Sequence, residues 1–274
     1  MCKVFEVSRS GYYDWQDRAE SVRAREDREL AESIQKVYAE SGKRYEPLRI
    51  WHTLRRKGCS HSRKRITRLM AKSGLFARKR KRFVRTTQAD PNHQPADNLR
   101  ARDFHADAPN RKGVTDIQYI PTAQGDLYLA ATLDLFSRRM VGWAMQETLE
   151  ATLTCKALDM AIQQRHPAPD ALVHSDRGSQ YTAGDYRATL RQHALTQSMS
   201  RKGNCGDNAP MENFFSSLEF ECRRQQKFAT RAQAKLVVFT YIEMFYNRKR
   251  LHSSLDYLSP DEFESLYVTI PTVR

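Results

Sequence analysis

The chain has 274 residues, of which 40% are hydrophobic and 28% are charged, and its formal net charge is +14. This composition is globular, with enough length for one sizeable core and a smaller domain. No apolar run approaches the roughly 20 residues that span a bilayer, and the N-terminus lacks the apolar block of a signal peptide, so we expect an intracellular protein. The five cysteines are odd in number and lack C-x-x-C spacing, which argues against a disulfide framework or a zinc site.

The positive charge is concentrated in residues 43–85, which contain 17 lysines and arginines and one acid, Glu46. The net charge of this segment, +16, exceeds the +14 of the whole chain, so the other residues together carry −2. Such a density of one sign predicts binding to a polyanion, most commonly nucleic acid. The alternative is a solvated charged face, although such faces usually mix the two signs.

Residues 1–40 have helical periodicity with breaks and form a predicted N-terminal helical region. Two short helices follow over 48–58 and 62–75, the first closed by Gly58 and the second capped by Ser62. A short turn followed by a cation-rich helix predicts a helix-turn-helix, although a generic helical hairpin would look similar.

We assign residues 41–85 to a DNA-binding domain. Its candidate DNA contacts lie on the second helix and on the basic run that follows it: Arg63, Lys64, Arg65, Arg68, Lys72, Arg78, Lys79, Arg80, Lys81 and Arg82.

Residues 86–112 are polar, contain three prolines and are predicted to be a linker. The pattern then changes to three strands joined by short turns, which predicts an antiparallel meander. The predicted elements from here on are strands over 114–122, 126–136, 138–146, 171–176 and 195–200, and helices over about 150–165, 179–193, 209–225 and 230–248. We therefore predict an α/β core over 113–225, a mixed five-stranded sheet flanked by helices, with a C-terminal helical extension over 226–274.

Three acids occupy unusual places in this pattern. Asp116 lies inside an apolar strand, where a carboxylate is costly unless it is paired or bound to metal. Asp176 ends the fourth strand, and there the simpler interpretation is a turn-forming aspartate. Glu212 lies near the start of a helix that Asn208 is suited to cap and that has Pro210 in its first turn.

Glu212 also lies beside the predicted buried stripe of that helix, which consists of Met211, Phe214, Phe215, Leu218 and Cys222. Each acid by itself could be a surface or turn residue. Together, three carboxylates on three separate elements could converge on Mg²⁺, whose natural ligands are oxygens. Two such ions suit an in-line phosphoryl transfer.

Long stretches of the chain resemble the second-frame (OrfB) transposases of the bacterial insertion-sequence-three family. The stretches are VTDIQYIPTAQGDLYLAATLDLFSRRMVGW, HSDRGSQY, SMSRKGNCGDNAPMENFFSSLE and YIEMFYNRKRLHSSL, and the similarity extends to SRSGYYDW and the helix-turn-helix segment. This resemblance implies a ribonuclease-H-like core, shared with retroviral integrases, and a DDE triad that falls on Asp116, Asp176 and Glu212.

The resemblance also implies the activity and the partners. The triad would bind two Mg²⁺ or Mn²⁺ ions and support cleavage at transposon 3′ ends, followed by strand transfer. The implied partners are double-stranded DNA (terminal inverted repeats and target), further copies of the chain on that DNA, and an upstream-frame (OrfA) protein. The implied location is the bacterial cytoplasm, at the nucleoid, with no membrane partner.

Two further segments are candidates for function. The loop over 200–204 contributes Arg201 and Lys202 as DNA contacts, and its glycine would let the backbone approach phosphate. The alternative is a flexible connector. The motif over 246–252 contains Tyr246, Asn247, Arg248, Arg250 and His252, for which packing of the last helix is as good an interpretation as DNA contact.

The chain departs from the family pattern at Gly113, where tryptophan is usual, and at Gly206, where tyrosine is usual. Glu219 replaces a basic residue seven positions after the catalytic glutamate. It shares a helix face with Glu212 and is expected to repel DNA phosphate. Two alternatives therefore stand beside an active transposase: a weakened or decayed copy that only binds DNA, and a ribonuclease-H-like nuclease without strand transfer.

Overall fold

The computed structural model describes residues 8–76, 96–99, 103–201, 205–222 and 227–269. The chain divides into two compact units, one up to residue 78 and one from residue 79 onward. Among the described helices, none has the length and apolar character needed to cross a membrane.

The first unit is helical throughout its described elements. These are α1 (Arg9–Gln16), α2 (Val22–Glu40), α3 (Pro47–Arg56) and α4 (Arg63–Lys72). Most of its buried side chains come from α2, α3 and α4, with Ser41 and Tyr45 buried between α2 and α3, and α1 contributes none. Ser62 Oγ accepts a hydrogen bond from Arg65 N over 3.3 Å, which confirms the predicted cap of α4. Gly58, which follows α3, has φ +88°, a left-handed conformation that favours glycine.

The second unit is built on a five-stranded sheet in the order β3-β2-β1-β4-β5. The strands are β1 (Lys112–Thr122), β2 (Gly125–Asp134), β3 (Met140–Gln146), β4 (Leu172–Ser175) and β5 (Thr196–Met199). The first three pair antiparallel, which confirms the predicted meander, whereas β4 is parallel to β1 and to β5. The predicted mixed α/β fold is therefore confirmed.

Helices flank this sheet. They are α5 (Ala151–Arg165), α6 (Ser179–Thr182), α7 (Gly184–Gln192), α8 (Ala209–Glu221), α9 (Arg231–Phe239), which continues into a π-helical segment (Thr240–Tyr246), and α10 (Pro260–Thr269). Helix α5 approaches β3 so closely that a Cβ atom on Gly142 would lie 2.2 Å from the carbonyl oxygen of Ala157. Only glycine fits at that position.

The single helix predicted over 179–193 is wrong, because Ala183 is extended and separates α6 from α7. Tyr181 and Tyr186 lie on either side of this break and are both buried, with ring centroids 5.3 Å apart. In an unbroken helix, side chains five residues apart point about 140° away from each other. The break lets both rings enter one core cluster.

Candidate catalytic site and DNA-binding surface

Asp116 lies within β1, and Asp176 directly follows β4, the strand beside β1 in the sheet. In the parallel pairing of β1 with β4, Val114 is opposite His174, and each acid follows two residues later. Neighbouring strands are about 4.8 Å apart, so this register brings two of the three predicted acids together. Asp116 is 8% exposed, and its Oδ1 accepts a hydrogen bond from the backbone N of Ile117 over 2.8 Å.

The Asp176 carboxylate also shapes the turn that follows β4. Its Oδ1 accepts a hydrogen bond from Gly178 N over 3.0 Å, and its backbone carbonyl accepts one from Ser175 Oγ over 2.9 Å. The turn-forming role considered from the sequence is therefore present. It engages one carboxylate oxygen and fixes the direction in which the side chain leaves the strand.

The end of β4 is anchored by a buried histidine that the sequence interpretation did not single out. His174 is fully buried, with Nδ1 2.8 Å from Ser198 Oγ and Nε2 3.1 Å from Ser200 Oγ. Both serines lie on or just after β5. These contacts pin the tip of β4 to its neighbour, two residues before Asp176.

Glu212 lies in the first turn of α8 and is half-buried. The expectation that Asn208 caps this helix with its side chain is wrong. Asn208 Nδ2 instead donates a hydrogen bond over 3.3 Å to the backbone carbonyl of Thr115, the residue before Asp116. This contact holds the N-terminal end of the helix that carries Glu212 against β1.

Tyr181 links the two aspartates electrostatically. It is fully buried, and its hydroxyl lies 3.3 Å from Thr115 Oγ1. Burial raises the pKa of Tyr181 well above its ordinary value, and the nearby carboxylates of Asp116 and Asp176 raise it further. The phenol therefore stays neutral beside the two acids.

The residues at this site offer donors that suit a hard divalent cation. Asp116 and Asp176 each follow a paired position of β1 and β4 by two residues, and the bond from Asn208 to Thr115 ties the start of the Glu212 helix to β1. The candidate ligands are therefore carboxylate oxygens, as Mg²⁺ prefers. Across the described parts of the chain, no group of three or more His, Cys, Asp or Glu side chains is arranged to hold a metal ion.

Glu219 lies two helical turns after Glu212 on α8, on the same side of the helix. It is half-buried and lines a small crevice together with Gln118, Ile120, Phe228 and Val238. Gln118 is two residues after Asp116 on β1. The carboxyl group of Glu219 therefore lies where α8 contacts β1, close to the strand position of Asp116.

Arg201, a predicted DNA contact, lies close to the start of α8. Its backbone N and its guanidinium donate to the carboxylate of Asp207 over 3.1 and 3.3 Å, and Asp207 is fully buried. Asn98 Nδ2 donates to the same carboxylate over 2.8 Å. The guanidinium is thereby held at the surface beside the candidate site, with 56% of the side chain exposed.

Part of the predicted linker packs against this edge of the sheet. Over residues 96–99, Leu99 N donates to Ser198 Oγ over 3.1 Å, and the carbonyl of Asp97 accepts from Met199 N over 3.2 Å. The sequence showed no sign of this, because polar, proline-containing segments have no periodicity that reports a docked conformation.

In the first unit, two predicted DNA contacts on α4 bind acids on α2. Arg65 donates to Asp27 Oδ1 over 2.7 Å and to Glu26 over 3.0 Å, and Arg68 donates to Asp27 Oδ2 over 2.5 Å. Hydrogen bonds from Arg68 and Arg65 lower the pKa of Asp27 to about 2. The pair Glu26 and Asp27 was missed because these acids lie before the basic segment 43–85, and its charge total contains no information about acids on another helix.

The other predicted cations of α4, Arg63, Lys64 and Lys72, are exposed. The predicted contacts outside the described residues are Arg78, Lys79, Arg80, Lys81, Arg82 and Lys202. Helix α4 therefore carries four exposed cations, because Arg68 is also exposed although it is paired with Asp27. Arg65 is partly buried and is likewise paired with acids of α2.

Known protein families match both units of the chain. An "HTH-like domain" family matches residues 24–83, and two "Integrase core domain" families match residues 106–205 and 212–266. Among solved structures, a chain of the simian T-cell lymphotropic virus intasome, determined in complex with a PP2A regulatory subunit, is similar in fold. The TM-score is 0.50 and the sequence identity is 12%. The match covers 88% of this chain and 76% of that chain. The second unit therefore has the ribonuclease-H-like fold of an integrase core.

Curated relatives are similar along nearly the whole length. A 31 kDa protein of insertion element IS600 from Shigella sonnei is 41% identical over 97% of this chain and 98% of its own. The transposase InsF of insertion sequence IS3A from Escherichia coli is 39% identical over 97% of this chain and 93% of its own. The chain belongs to the insertion-sequence-three family of transposases, which confirms the resemblance seen in the sequence.

Proposed function

We propose that this chain is an active DNA transposase that cleaves the 3′ ends of its insertion sequence and joins them to target DNA. The observation that carries the proposal is the parallel pairing of β1 with β4, which places Val114 opposite His174, each two residues before one of the proposed acids, Asp116 and Asp176. The bond from Asn208 to Thr115, which brings the helix of Glu212 to the same strand, supports it. The three acids are the proposed catalytic and metal-binding residues.

In this proposal, Asp116, Asp176 and Glu212 hold two Mg²⁺ or Mn²⁺ ions. Such ions would activate the attacking oxygen and stabilise the leaving one. The chain itself contributes the fixed positions of its ligands. Asp116 is rigid because it lies within the sheet, and the Asp176 side chain is oriented by its bond from Gly178 N. Tyr181, kept neutral by burial, adds no third negative charge between the aspartates.

The proposed reaction has two steps, neither of which needs a covalent protein intermediate. First, water attacks the phosphodiester at the end of the element; a P–O bond to water forms as the bond to the 3′ oxygen breaks, which frees a 3′-hydroxyl. That hydroxyl then attacks a target phosphodiester, and the target's own 3′ oxygen leaves. The attacking hydroxyl gives up its proton to solvent and the leaving oxygen takes one from solvent, so one 3′-hydroxyl is consumed and another is formed. The number of phosphodiester bonds is unchanged in the second step.

DNA would be held by both units. The exposed cations of α4 suit contact with the phosphate backbone, and Arg201 suits contact beside the acids. Because the binding would be largely ionic, affinity should fall steeply between roughly 50 and 200 mM salt. Two DNA ends must be joined, so we propose that several copies of the chain assemble on DNA, with the upstream-frame protein as a possible partner.

A strand-transfer assay tests the proposal. The purified chain is mixed with the inverted-repeat ends of its own element and a target plasmid in Mg²⁺ or Mn²⁺. The same reaction is run with Asp116→Asn and with the control Asp126→Asn. The control makes the same change at an exposed position of the β1–β2 hairpin. Metal-dependent joined products from the wild type and the control, but not from Asp116→Asn, are expected. Equal product from Asp116→Asn would overturn the assignment.

One observation favours a second function, a protein that binds DNA without useful catalysis. Glu219 places a carboxyl group on the side of α8 that carries Glu212, where an anion would repel DNA phosphate. Salt-sensitive DNA binding without joined products, both alone and with the upstream-frame protein added, would establish this alternative. Joined products only after that addition would instead identify a missing partner.

A further inference from the structure

The motif over 246–252, which the sequence could not assign, is mostly buried. Tyr246, Asn247, Arg250 and His252 are each no more than 8% exposed, and only Arg248 points outward among the residues singled out there. The Tyr246 ring packs edge-on against His252, with centroids 4.9 Å apart. The motif is therefore part of the packed core around α8.

Arg250 makes the strongest contacts of this motif. Its Nη2 donates to Glu221 Oε1 over 2.7 Å and its Nε donates to Glu221 Oε2 over 2.9 Å, a paired geometry between a guanidinium and a carboxylate. Nη2 also donates to Ser217 Oγ over 3.0 Å, and the hydroxyl of Tyr241 donates to Glu221 Oε2 over 2.9 Å. Arg250 and Glu221 are only 5% and 7% exposed.

Two donors of this network, Arg250 and Tyr241, keep their ordinary charge states. Burial opposes the charge of Arg250, but Glu221 outweighs burial and raises the arginine pKa above its ordinary value. Burial, together with Glu221, raises the pKa of Tyr241 well above its ordinary value. The guanidinium therefore stays charged and the phenol stays neutral, so both groups remain hydrogen-bond donors to Glu221.

The network holds α8 on the side away from Glu212. Glu221 follows Glu212 by nine residues, which is about two and a half helical turns, so the two side chains leave the helix in opposite directions. Apolar residues such as Met211 and Leu218 lie on the face between them. The hydrophobic effect that buries this face is itself non-directional. A paired ionic contact is directional and fixes the rotation of α8 about its axis.

The same segment is fastened to the sheet at its other end. Asn247 Oδ1 accepts from Met140 N over 2.9 Å, and Asn247 Nδ2 donates to the Met140 carbonyl over 3.0 Å, at the start of β3. The backbone carbonyl of Asn247 accepts from Asp261 N at the start of α10. Arg250 and Asn247 are three residues apart, so a short stretch of chain connects α8 to the sheet that carries Asp116.

We infer that Arg250, paired with Glu221 and anchored through Asn247, is a positioning residue that sets the rotation of α8 and hence the direction of Glu212 toward Asp116 and Asp176. This inference rests on the proposed function for the role of Glu212. It gives the C-terminal segment a role at the proposed site: without the contact from Arg250, Glu212 remains in the chain but the rotation of the helix that carries it is no longer fixed by this pair. Groups that orient metal ligands typically affect metal affinity or activity by about 10- to 100-fold.

The test uses the full chain and Mn²⁺ alone as the probe. The main variant is Glu221→Leu with Arg250→Met, because replacing both members of a buried ion pair by apolar residues usually preserves folding. Arg250→Lys retains the charge without the paired geometry. Lys249→Met is the matched control, since it removes an exposed cation from the neighbouring position. Mn²⁺ binding is measured by the electron paramagnetic resonance signal of free Mn²⁺, and folding by circular dichroism.

The expected result is a folded double variant whose half-saturating Mn²⁺ concentration rises roughly tenfold or more, with an intermediate rise for Arg250→Lys and none for Lys249→Met. Strand transfer should show the same shift in metal dependence and recover in part at high Mn²⁺. A folded double variant with wild-type Mn²⁺ binding would overturn the inference.

A double variant that fails to fold moves the decision to Tyr241→Phe, which removes one bond to Glu221 and no charge. If the half-saturating Mn²⁺ concentration of Tyr241→Phe rises while its melting temperature is unchanged, the inference is supported. If that concentration is unchanged, the inference is overturned. Failure of the proposed function is separate: it is seen as a wild-type protein that joins no DNA ends, whereas Mn²⁺ binding still reports on Arg250.

Discussion

Asn208 and Thr115 are 93 residues apart in the chain, yet the side chain of Asn208 donates a hydrogen bond to the backbone carbonyl of Thr115 over 3.3 Å. Both residues are almost completely buried. The bond ties the first turn of α8 to the strand position next to Asp116. It is a direct mechanical link between the elements that carry the first and third candidate acids.

Replacing Asn208 by alanine should weaken both folding and catalysis. The carbonyl of Thr115 loses a buried donor, so we expect the free energy of unfolding to fall by about 1–2 kcal/mol. Strand transfer should slow roughly tenfold because Glu212 is less well placed. Urea unfolding and single-turnover joining measure the two effects. Asn213→Ala, an exposed change on the same helix, should alter neither; a normal joining rate for Asn208→Ala would show that the link does not serve catalysis.

Asp27→Asn should strengthen DNA binding, because it frees Arg65 and Arg68 from a competing carboxylate. We expect affinity for duplex DNA to rise roughly tenfold at low salt. The slope of log affinity against log salt concentration should become steeper by about 1, which corresponds to one additional phosphate contact. Fluorescence anisotropy over a salt series measures both quantities. Glu29→Gln removes the same charge at an exposed position of α2 and is the control. Unchanged or weaker binding by Asp27→Asn alone would mean that the acid aligns the arginines instead of competing for them.

The carboxylate of Asp27 should make the stability of the first unit depend on pH. Hydrogen bonds from Arg68 and Arg65 lower the pKa of Asp27 from 3.8 to about 2. A lowered pKa means that the stabilisation is fully present above about pH 4 and is lost as the pH falls toward about 2. The difference in urea midpoint between wild type and Asp27→Asn should therefore shrink over that window. A difference that grows on acidification would contradict this sign.

Reversing the charge of Glu219 should speed strand transfer. The carboxyl group lies on the side of α8 that carries Glu212, where an anion opposes the approach of DNA phosphate. We expect Glu219→Gln to raise the joining rate modestly and Glu219→Lys to raise it roughly tenfold, a change of about 1.4 kcal/mol in the barrier. Rates at subsaturating DNA provide the measurement. If both variants join DNA at the wild-type rate, repulsion by Glu219 is not significant.

Gly142→Ala should destabilise the second unit strongly. The added Cβ would lie 2.2 Å from the carbonyl oxygen of Ala157 and 2.7 Å from the Ala161 Cβ, and neither atom can swing aside. We expect a loss of about 3 kcal/mol, the upper end for overpacking, in urea unfolding. Gly184→Ala is the matched control, since no atom lies within 4 Å of its added Cβ; it should be neutral or slightly stabilising. Equal stability of both variants would be inconsistent with the close approach of α5 to β3.

The amino-acid sequence by itself determined the class of fold. Alternating and helical periodicities report which face of an element is buried, so they predicted the meander of β1, β2 and β3 and the helices on either side of the sheet. Long local motifs identified the family and selected Asp116, Asp176 and Glu212 as candidates. These features depend on residues close together in the chain.

The tertiary structure decided which polar groups meet. Asn208 bonds to Thr115 instead of capping α8, Arg65 is held by Asp27, and Arg250 is paired with Glu221. These partners are 93, 38 and 29 residues apart in the chain. Periodicity contains no information about such distant pairs, because a hydrogen bond is set by the final packing of whole elements and not by the residues beside it in sequence.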